Sequence, residues 1–343
     1  MQASHRRDQP QPWQRPHCVG QRGNGTASIY SSAMPERAID PVALQAQLRR
    51  LRRRQQDHPE GPWLHGEVAR RMGERLALIR LRPDPVLEWW GGLGASEAVL
   101  REACPSARRT VVEPDADWAA LTRAARQAPW WTARRWTGGG GPTILTENET
   151  LPDAAHQLVW ANMVLSAAAD PPVLMQRWQR ALAVDGFVMF SCLGPDTLRR
   201  LRALYAELGF GDMGVAFVDM HDLGDMLVEA GFADPVMDQE MLTLTWATPA
   251  ALLQELRTLG GNLAPTRHAG LRTPGWRRRL EAAMEPLRGP DGRLALGFEI
   301  VYGHAFKAAA RLTVAPTTTI SLAQMRDQVQ RRHRSDQRTS ALR

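Results

Sequence analysis

Apolar residues follow two regimes along the chain, and the change comes near Val86. Before it they recur at three- and four-residue steps: Val42, Leu44, Leu48 and Leu51, then Leu64, Val68, Met72, Leu76 and Ile79. That spacing lines one face of a helix, so it predicts a short helix from Pro41 to before Pro59 and a second over about Leu64–Ile79. After Val86 come short apolar runs cut by glycine, proline or an acid. Val86–Trp90, Thr110–Glu113, Thr143–Thr146, Gln157–Asn162 and Phe187–Leu193 read as strands. A helix follows Gly94 through Val99 and Ala103. Another starts at Asp170-Pro171, an N-cap and first-turn pair, and runs through Leu174, Trp178 and Leu182.

Farther on, helices are predicted over Asp196–Leu208 and Leu223–Ala230, each closed by a glycine, Gly209 or Gly231. Glu240–Trp246 and Phe298–Phe306 alternate as strands that can pair at the far edge of a sheet. Between them lie a helix after Pro249 and one from Thr273-Pro274 with Trp276, Leu280, Ala283 and Leu287 inward. Gly260–Arg272, rich in Gly, Asn, Pro and Arg, reads as a loop or lid. Strands alternating with helices predict an α/β fold, a mostly parallel sheet with helices on both faces and right-handed crossovers. The expected divisions are a disordered basic tail over 1–39, a helix within 40–63, a main domain over 64–308 with an insertion or lid at about 249–296, and a basic tail over 309–343. A short helix is possible at Ile320–Val329.

Composition narrows the function classes. With 343 residues, 43% of them hydrophobic, the chain can build a full core. No apolar run approaches the ~18 residues of a membrane span, and the N-terminus lacks the apolar centre of a secretory signal. Cys18, Cys104 and Cys192 form no metal-binding spacing and no disulfide framework, so reduced thiols in a cytoplasmic protein are expected. The net charge of +7 resides in the tails. Residues 1–59 hold ten arginines and four acids, residues 310–343 seven and two, and the segment between has 26 basic and 30 acidic residues. A monomer without a nucleic-acid or membrane partner is therefore expected.

The candidate chemistry begins at the first strand. Glu88-Trp89-Trp90-Gly91-Gly92-Leu93-Gly94 is a Gly-rich turn leading into a helix, where backbone N–H groups and the helix N-terminus can meet a ligand. Glu113 ends the second strand about twenty residues on, where an acid can accept from ribose hydroxyls. Alone, these residues fit either an adenosine-containing ligand or an ordinary turn.

The downstream text is more specific. Phe190-Ser191-Cys192-Leu193-Gly194-Pro195-Asp196-Thr197-Leu198, then Phe217-Val218-Asp219-Met220-His221-Asp222-Leu223-Gly224-Asp225-Met226-Leu227, closely resemble the malonyl-[acyl-carrier protein] O-methyltransferases of biotin synthesis. Ala230–Asp238, Leu242–Thr245 and Val301–Lys307 continue the likeness, which spans roughly Leu64–Lys307 in order. The resemblance implies a Rossmann-like class I methyltransferase fold. It also implies S-adenosylmethionine as cofactor and the malonyl form of acyl carrier protein as partner, methylated on its free carboxyl. It puts Glu88 near the cofactor's methionine portion, Gly92 and Gly94 at the second and third glycines of the loop, Glu113 at the ribose and Asn162 beside the cofactor.

Three departures stand out. Trp90 takes the place of the family's first glycine, where a positive φ disfavours a tryptophan. The third strand ends in Glu147-Asn148-Glu149, which does not reveal the adenine-contacting Asp. The region of Gln56–His58 has no counterpart of the family's N-terminal aromatic. A relative that keeps the fold as a protein-binding scaffold is the alternative these departures raise.

A malonyl carboxylate is already ionised at neutral pH, so no general base is needed. It needs a cation or hydrogen-bond donors, for which His221, Tyr302, His304, Arg267 and Arg272 are the candidates. His221-Asp222 also fits a helix start, and Tyr302 with His304 an ordinary sheet edge. For an acidic carrier, Arg277-Arg278-Arg279 with Arg267 and Arg272 is the expected landing surface.

Overall fold

The computed structural model describes residues 38–59, 61–126, 141–268 and 270–309. The tails expected over 1–39 and 309–343 fall almost entirely outside these residues, and the helix at Ile320–Val329 does so wholly.

Helix α1 (Pro41–Asp57) starts at Asp40, whose carboxylate accepts from the backbone N–H groups of Val42 (2.8 Å) and Ala43 (3.2 Å). Helix α2 (Trp63–Leu78) buries Leu64, Val68, Met72 and Leu76, the stripe seen in the sequence, together with His65. The alternating part follows as β1 (Val86–Trp89), α3 (Glu97–Ala103), β2 (Arg109–Glu113), α4 (Ala116–Arg126), β3 (Thr143–Thr146), β4 (His156–Ala161), α5 (Pro171–Ala181) and β5 (Leu182–Leu193). After it come α6 (Arg199–Glu207), α7 (Met220–Glu229), β6 (Ala233–Trp246), α8 (Pro249–Thr258), α9 (Pro274–Ala283) and β7 (Leu294–Phe306).

Several elements differ from the sequence expectation. Helix α4 has no counterpart there, because alanines and arginines leave only Trp118, Ala119 and Thr122 to mark its buried face. Strand β6 starts at Ala233 and β7 at Leu294, since the two pair from Ala233↔Phe306 to Trp246↔Leu294. Helix α7 is capped by Asp219, which accepts from the His221 N–H at 2.8 Å, three residues before the expected Asp222. Gly209 and Gly231 do take the left-handed backbone (φ +64° and +89°) that ends α6 and α7.

The seven strands form one sheet in the order β3-β2-β1-β4-β5-β7-β6. The first five pair in parallel, and β7 runs antiparallel to both β5 and β6. Both faces are buried, which explains why these strands read as continuous apolar runs. Leu87, Trp89, Val159, Ala161, Val188 and Phe190 face α4, α5 and α7; Val86, Leu158, Trp160, Phe187 and Met189 face α2, α3, α6 and α9. Strand order reverses between β1 and β4. Loops leaving the carboxyl ends of those strands diverge to opposite sides, and the crevice between them is where such sheets bind ligands.

Candidate functional site

At that crevice the chain after β1 turns through Trp90, which adopts φ +51°. The bend expected of a glycine is thus made by a tryptophan, and the loop closes normally: Leu93 and Gly94 N–H groups donate to the Trp90 carbonyl at 3.0 and 2.9 Å. A left-handed residue of this size costs about 1–3 kcal/mol and persists only where its surroundings hold it. Here the buried indole donates from Nε1 to Glu147 at 2.8 Å and belongs to the same buried cluster as Leu48 and Leu51 of α1. Glu147 also accepts from Trp89 Nε1 at 3.1 Å. Burial raises its pKa, and the two indole bonds oppose that rise.

Glu113 reaches the same loop from β2. Its Oε1 accepts from the Gly92 N–H and the Thr122 hydroxyl, both at 2.7 Å, whereas Oε2 is buried with no partner among the described residues. Burial pushes this carboxyl up to about 7, against the pull of those two bonds. Gly92 is indispensable to the arrangement, since a Cβ there would stand 2.5 Å from Thr122 Oγ1 and 3.0 Å from Glu113 Oε1. Asn162, just past β4, donates from Nδ2 to the carbonyls of His65 (2.8 Å) and Gly94 (2.5 Å) and accepts from Ser191 Oγ at 2.7 Å. It therefore pins the Gly-rich loop to α2. Glu88 is committed elsewhere, with both oxygens gripped by Arg126 in a buried bidentate pair (2.5 and 3.0 Å).

The residues at the β1–β2 edge fit an adenosyl ligand. A buried carboxylate oxygen without a donor is costly, and ribose hydroxyls are donors. The Trp90 indole turns toward Glu147 and is not among the residues lining the adjoining cavity.

That cavity, about 350 Å³, begins where Leu93 and Met163 follow the two crevice loops. Its walls are mainly apolar, from Leu51, Leu64, Leu193, Leu201, Val215 and Leu263 among others. Three buried polar atoms on it have no partner among the described residues: Gln47 Oε1, His65 Nδ1 and Trp276 Nε1. Burial takes His65 down to about 4, so it is neutral at physiological pH. Neither His65 nor Gln47 is among the sequence-predicted site residues, although each is a polar residue on an otherwise apolar helix stripe, which is the signal the sequence carries.

None of the five carboxylate-holding candidates lines the cavity. His221 is exposed and its Nδ1 lies 2.8 Å from Asp219 Oδ1, a helix-cap contact. Tyr302 donates to Glu240 and lies under Arg75, 3.8 Å from the ring centroid, which ties α2 to the far sheet edge. His304 is half-buried on the same strand face, edge-on to Phe306, and burial lowers its pKa. Arg267 pairs with Asp40, the cap of α1. Arg272 donates to the Phe210 carbonyl at 2.7 Å and lies 4.9 Å from the Trp276 ring centroid. The partners that occupy them come from elements distant in sequence.

No family model matches the chain. The malonyl-[acyl-carrier protein] O-methyltransferase of Halorhodospira halophila is 39% identical over 248 residues, covering 71% of this chain and 81% of that protein. Proteins of the same name from Laribacter hongkongensis and Gallionella capsiferriformans are also 39% identical, over 72% and 73% of this chain and 84% and 86% of theirs. Solved structures that superpose on it include the YcgJ protein of a Bacillus at 10% identity, with a TM-score of 0.48 over 70% of this chain and 98% of that one.

Proposed function

The chain belongs to the malonyl-[acyl-carrier protein] O-methyltransferase family, and on that premise we propose that it transfers a methyl group from S-adenosylmethionine to the free carboxylate of a malonyl thioester carried on acyl carrier protein, in biotin synthesis. The observation that carries this reading is the pairing of two sites. One is a Gly-rich loop with an unmet carboxylate oxygen at Glu113. The other is an apolar cavity of about 350 Å³ opening beside it.

S-adenosylmethionine, when bound, supplies an electrophilic methyl group. Glu113 Oε2 would accept from its ribose, Gly92 and Gly94 would let it approach the backbone, and Asn162 would hold the loop in place. The cavity's apolar wall removes water from the acceptor carboxylate, which needs no base to ionise it. Near-attack positioning in a dry site is then the protein's main contribution. The exposed Arg257 and Arg277 line the cavity and would face the acidic carrier, with Arg278 nearby. Cys104 and Cys192, buried and in no disulfide, accord with a cytoplasmic setting. Among the described residues no helix is long and apolar enough to cross a membrane.

The test is mass spectrometry of malonyl-carrier protein after incubation with the full chain and S-adenosylmethionine. One methyl-ester increment is expected. Absence of the increment, together with no cofactor-induced rise in the unfolding midpoint, overturns the reading and favours the scaffold alternative.

A further inference from the structure

The cavity wall holds a cation that pairs with no carboxylate among the described residues. Arg202, on α6, is half-buried and lines the cavity. Its Nε donates to the Thr197 carbonyl at 3.2 Å and its Nη2 to the Val215 carbonyl at 3.0 Å. The guanidinium carbon lies 4.8 Å from the Phe217 ring centroid. Among the described residues Nη1 has no acceptor and no carboxylate pairs with this arginine. Asp212 acts on it only through space, and Asp212 is itself engaged by the Thr266 hydroxyl. Burial lowers the Arg202 pKa, the sign of a charge that has lost water. The cavity's other arginines differ: Arg257 is exposed, and Arg277 is exposed and pairs with Glu281 at 2.7 Å.

A partly desolvated cation held by carbonyl dipoles and an aromatic face is a prepared anion site. Its attraction for an anion grows as water is excluded. Resting on the functional reading above, we propose that Arg202 recognises the free carboxylate of the acceptor, donating from Nη1 to one carboxylate oxygen and leaving the other exposed toward the crevice. The assignment explains specificity. Malonyl and acetyl thioesters differ by that carboxylate alone, so a cation in an apolar wall separates them where shape cannot. It also explains product release, because the methyl ester is neutral and no longer answers the charge.

The experiment is calorimetric binding of malonyl-pantetheine and acetyl-pantetheine to the full chain without cofactor, for wild type, Arg202→Met and Arg202→Lys. Wild type should prefer the malonyl compound by about 10- to 100-fold, the range of a charge-assisted hydrogen bond. Arg202→Met should bring the ratio within about twofold of unity, with Arg202→Lys between, and unfolding midpoints should show all three proteins folded. If wild type discriminates and Arg202→Met discriminates equally, the Arg202 assignment fails while the functional reading stands. If wild type shows no preference, both fail. A loss of preference in Arg202→Met that Arg202→Lys partly restores supports the cation itself, since a merely structural anchor would not track the charge of the ligand.

Discussion

At the edge formed by β1, β2 and β3, nearly every charged group meets another part of the protein. Glu88 is gripped by Arg126, Glu147 by two indoles, and Glu113 by Gly92 and Thr122 through one oxygen. In the cavity beside β4 and β5 four polar groups have no protein partner among the described residues: His65 Nδ1, Gln47 Oε1, Trp276 Nε1 and the Nη1 of Arg202. Among the described residues, the first region is a frame whose buried carboxylates leave one oxygen unmet, and the second is a container with several unmet polar groups. The contrast assigns tasks. Cofactor affinity should hang on very few atoms at the edge, whereas acceptor recognition should be spread over the cavity wall.

The sharpest way to break this contrast is Gly92→Ala. Its Cβ collides with Thr122 Oγ1 and Glu113 Oε1, so the one carboxylate left for the ligand is displaced. Affinity for S-adenosylhomocysteine, measured by calorimetry, should fall about 100-fold or more, as expected when a charged hydrogen-bonding group and the loop around it are lost together. An unchanged affinity would place the cofactor elsewhere.

Trp90→Gly asks whether the frame includes the indole. Losing a buried tryptophan costs about 3 kcal/mol or more, and relief of the left-handed backbone returns about 1 kcal/mol, so urea titration should show about 2 kcal/mol of net destabilisation. Cofactor affinity should change less than about threefold, because the indole faces Glu147 rather than the cavity. A tenfold gain would mean that the ring stands in the ligand's place.

Protonation sharpens the role of Glu113. Its folded pKa, about 7, is raised above the ordinary 4.5, so the folded state holds the proton more tightly than the unfolded chain. Its contribution to stability is therefore full below about pH 4.5 and lost as pH rises through 7. Hydroxyl donors favour the ionised form, so cofactor affinity should run the opposite way, rising about tenfold from pH 6 to 8 with proton release. Calorimetry in buffers of different ionisation enthalpy reads that proton. A flat profile would remove Glu113 from the site, and Glu113→Gln should flatten it.

Smaller effects test the residues the structure places outside the cavity. Arg267→Ala breaks the pair with the α1 cap and should lower the unfolding midpoint only slightly, leaving the KM for malonyl-carrier protein unchanged. A raised KM would return Arg267 to substrate binding. His221→Ala should move stability by less than about 0.5 kcal/mol and kcat not at all, given its exposure.

Much of the fold was legible because the parallel strands, buried on both faces, are unbroken apolar runs bounded by glycines and acids. Helix α4 was not, because alanine and arginine give little contrast between its faces. The turn that contains Gly92 and the acid Glu113 could be read from their spacing after the strands, whereas Asn162 was reached only through the family resemblance. Glu147 could not, since only folding brings the indoles of Trp89 and Trp90 onto it. Arg202 was hidden in an arginine-rich helix, and only the apolar walls contributed by α1, α2 and α8 make its charge unusual.

Helix α1 touches both regions. Gln55 donates to the Gly92 carbonyl at 2.6 Å, Arg50 to the Gly260 carbonyl at 2.7 Å, and Asp40 pairs with Arg267. A single lever thus rests on the loop of the rigid frame and on the rim of the container. Its consequence concerns timing: a ligand that displaces the Gly92 loop or the Gly260 rim displaces a contact of the same helix, so exchange at the two places should be coupled rather than independent.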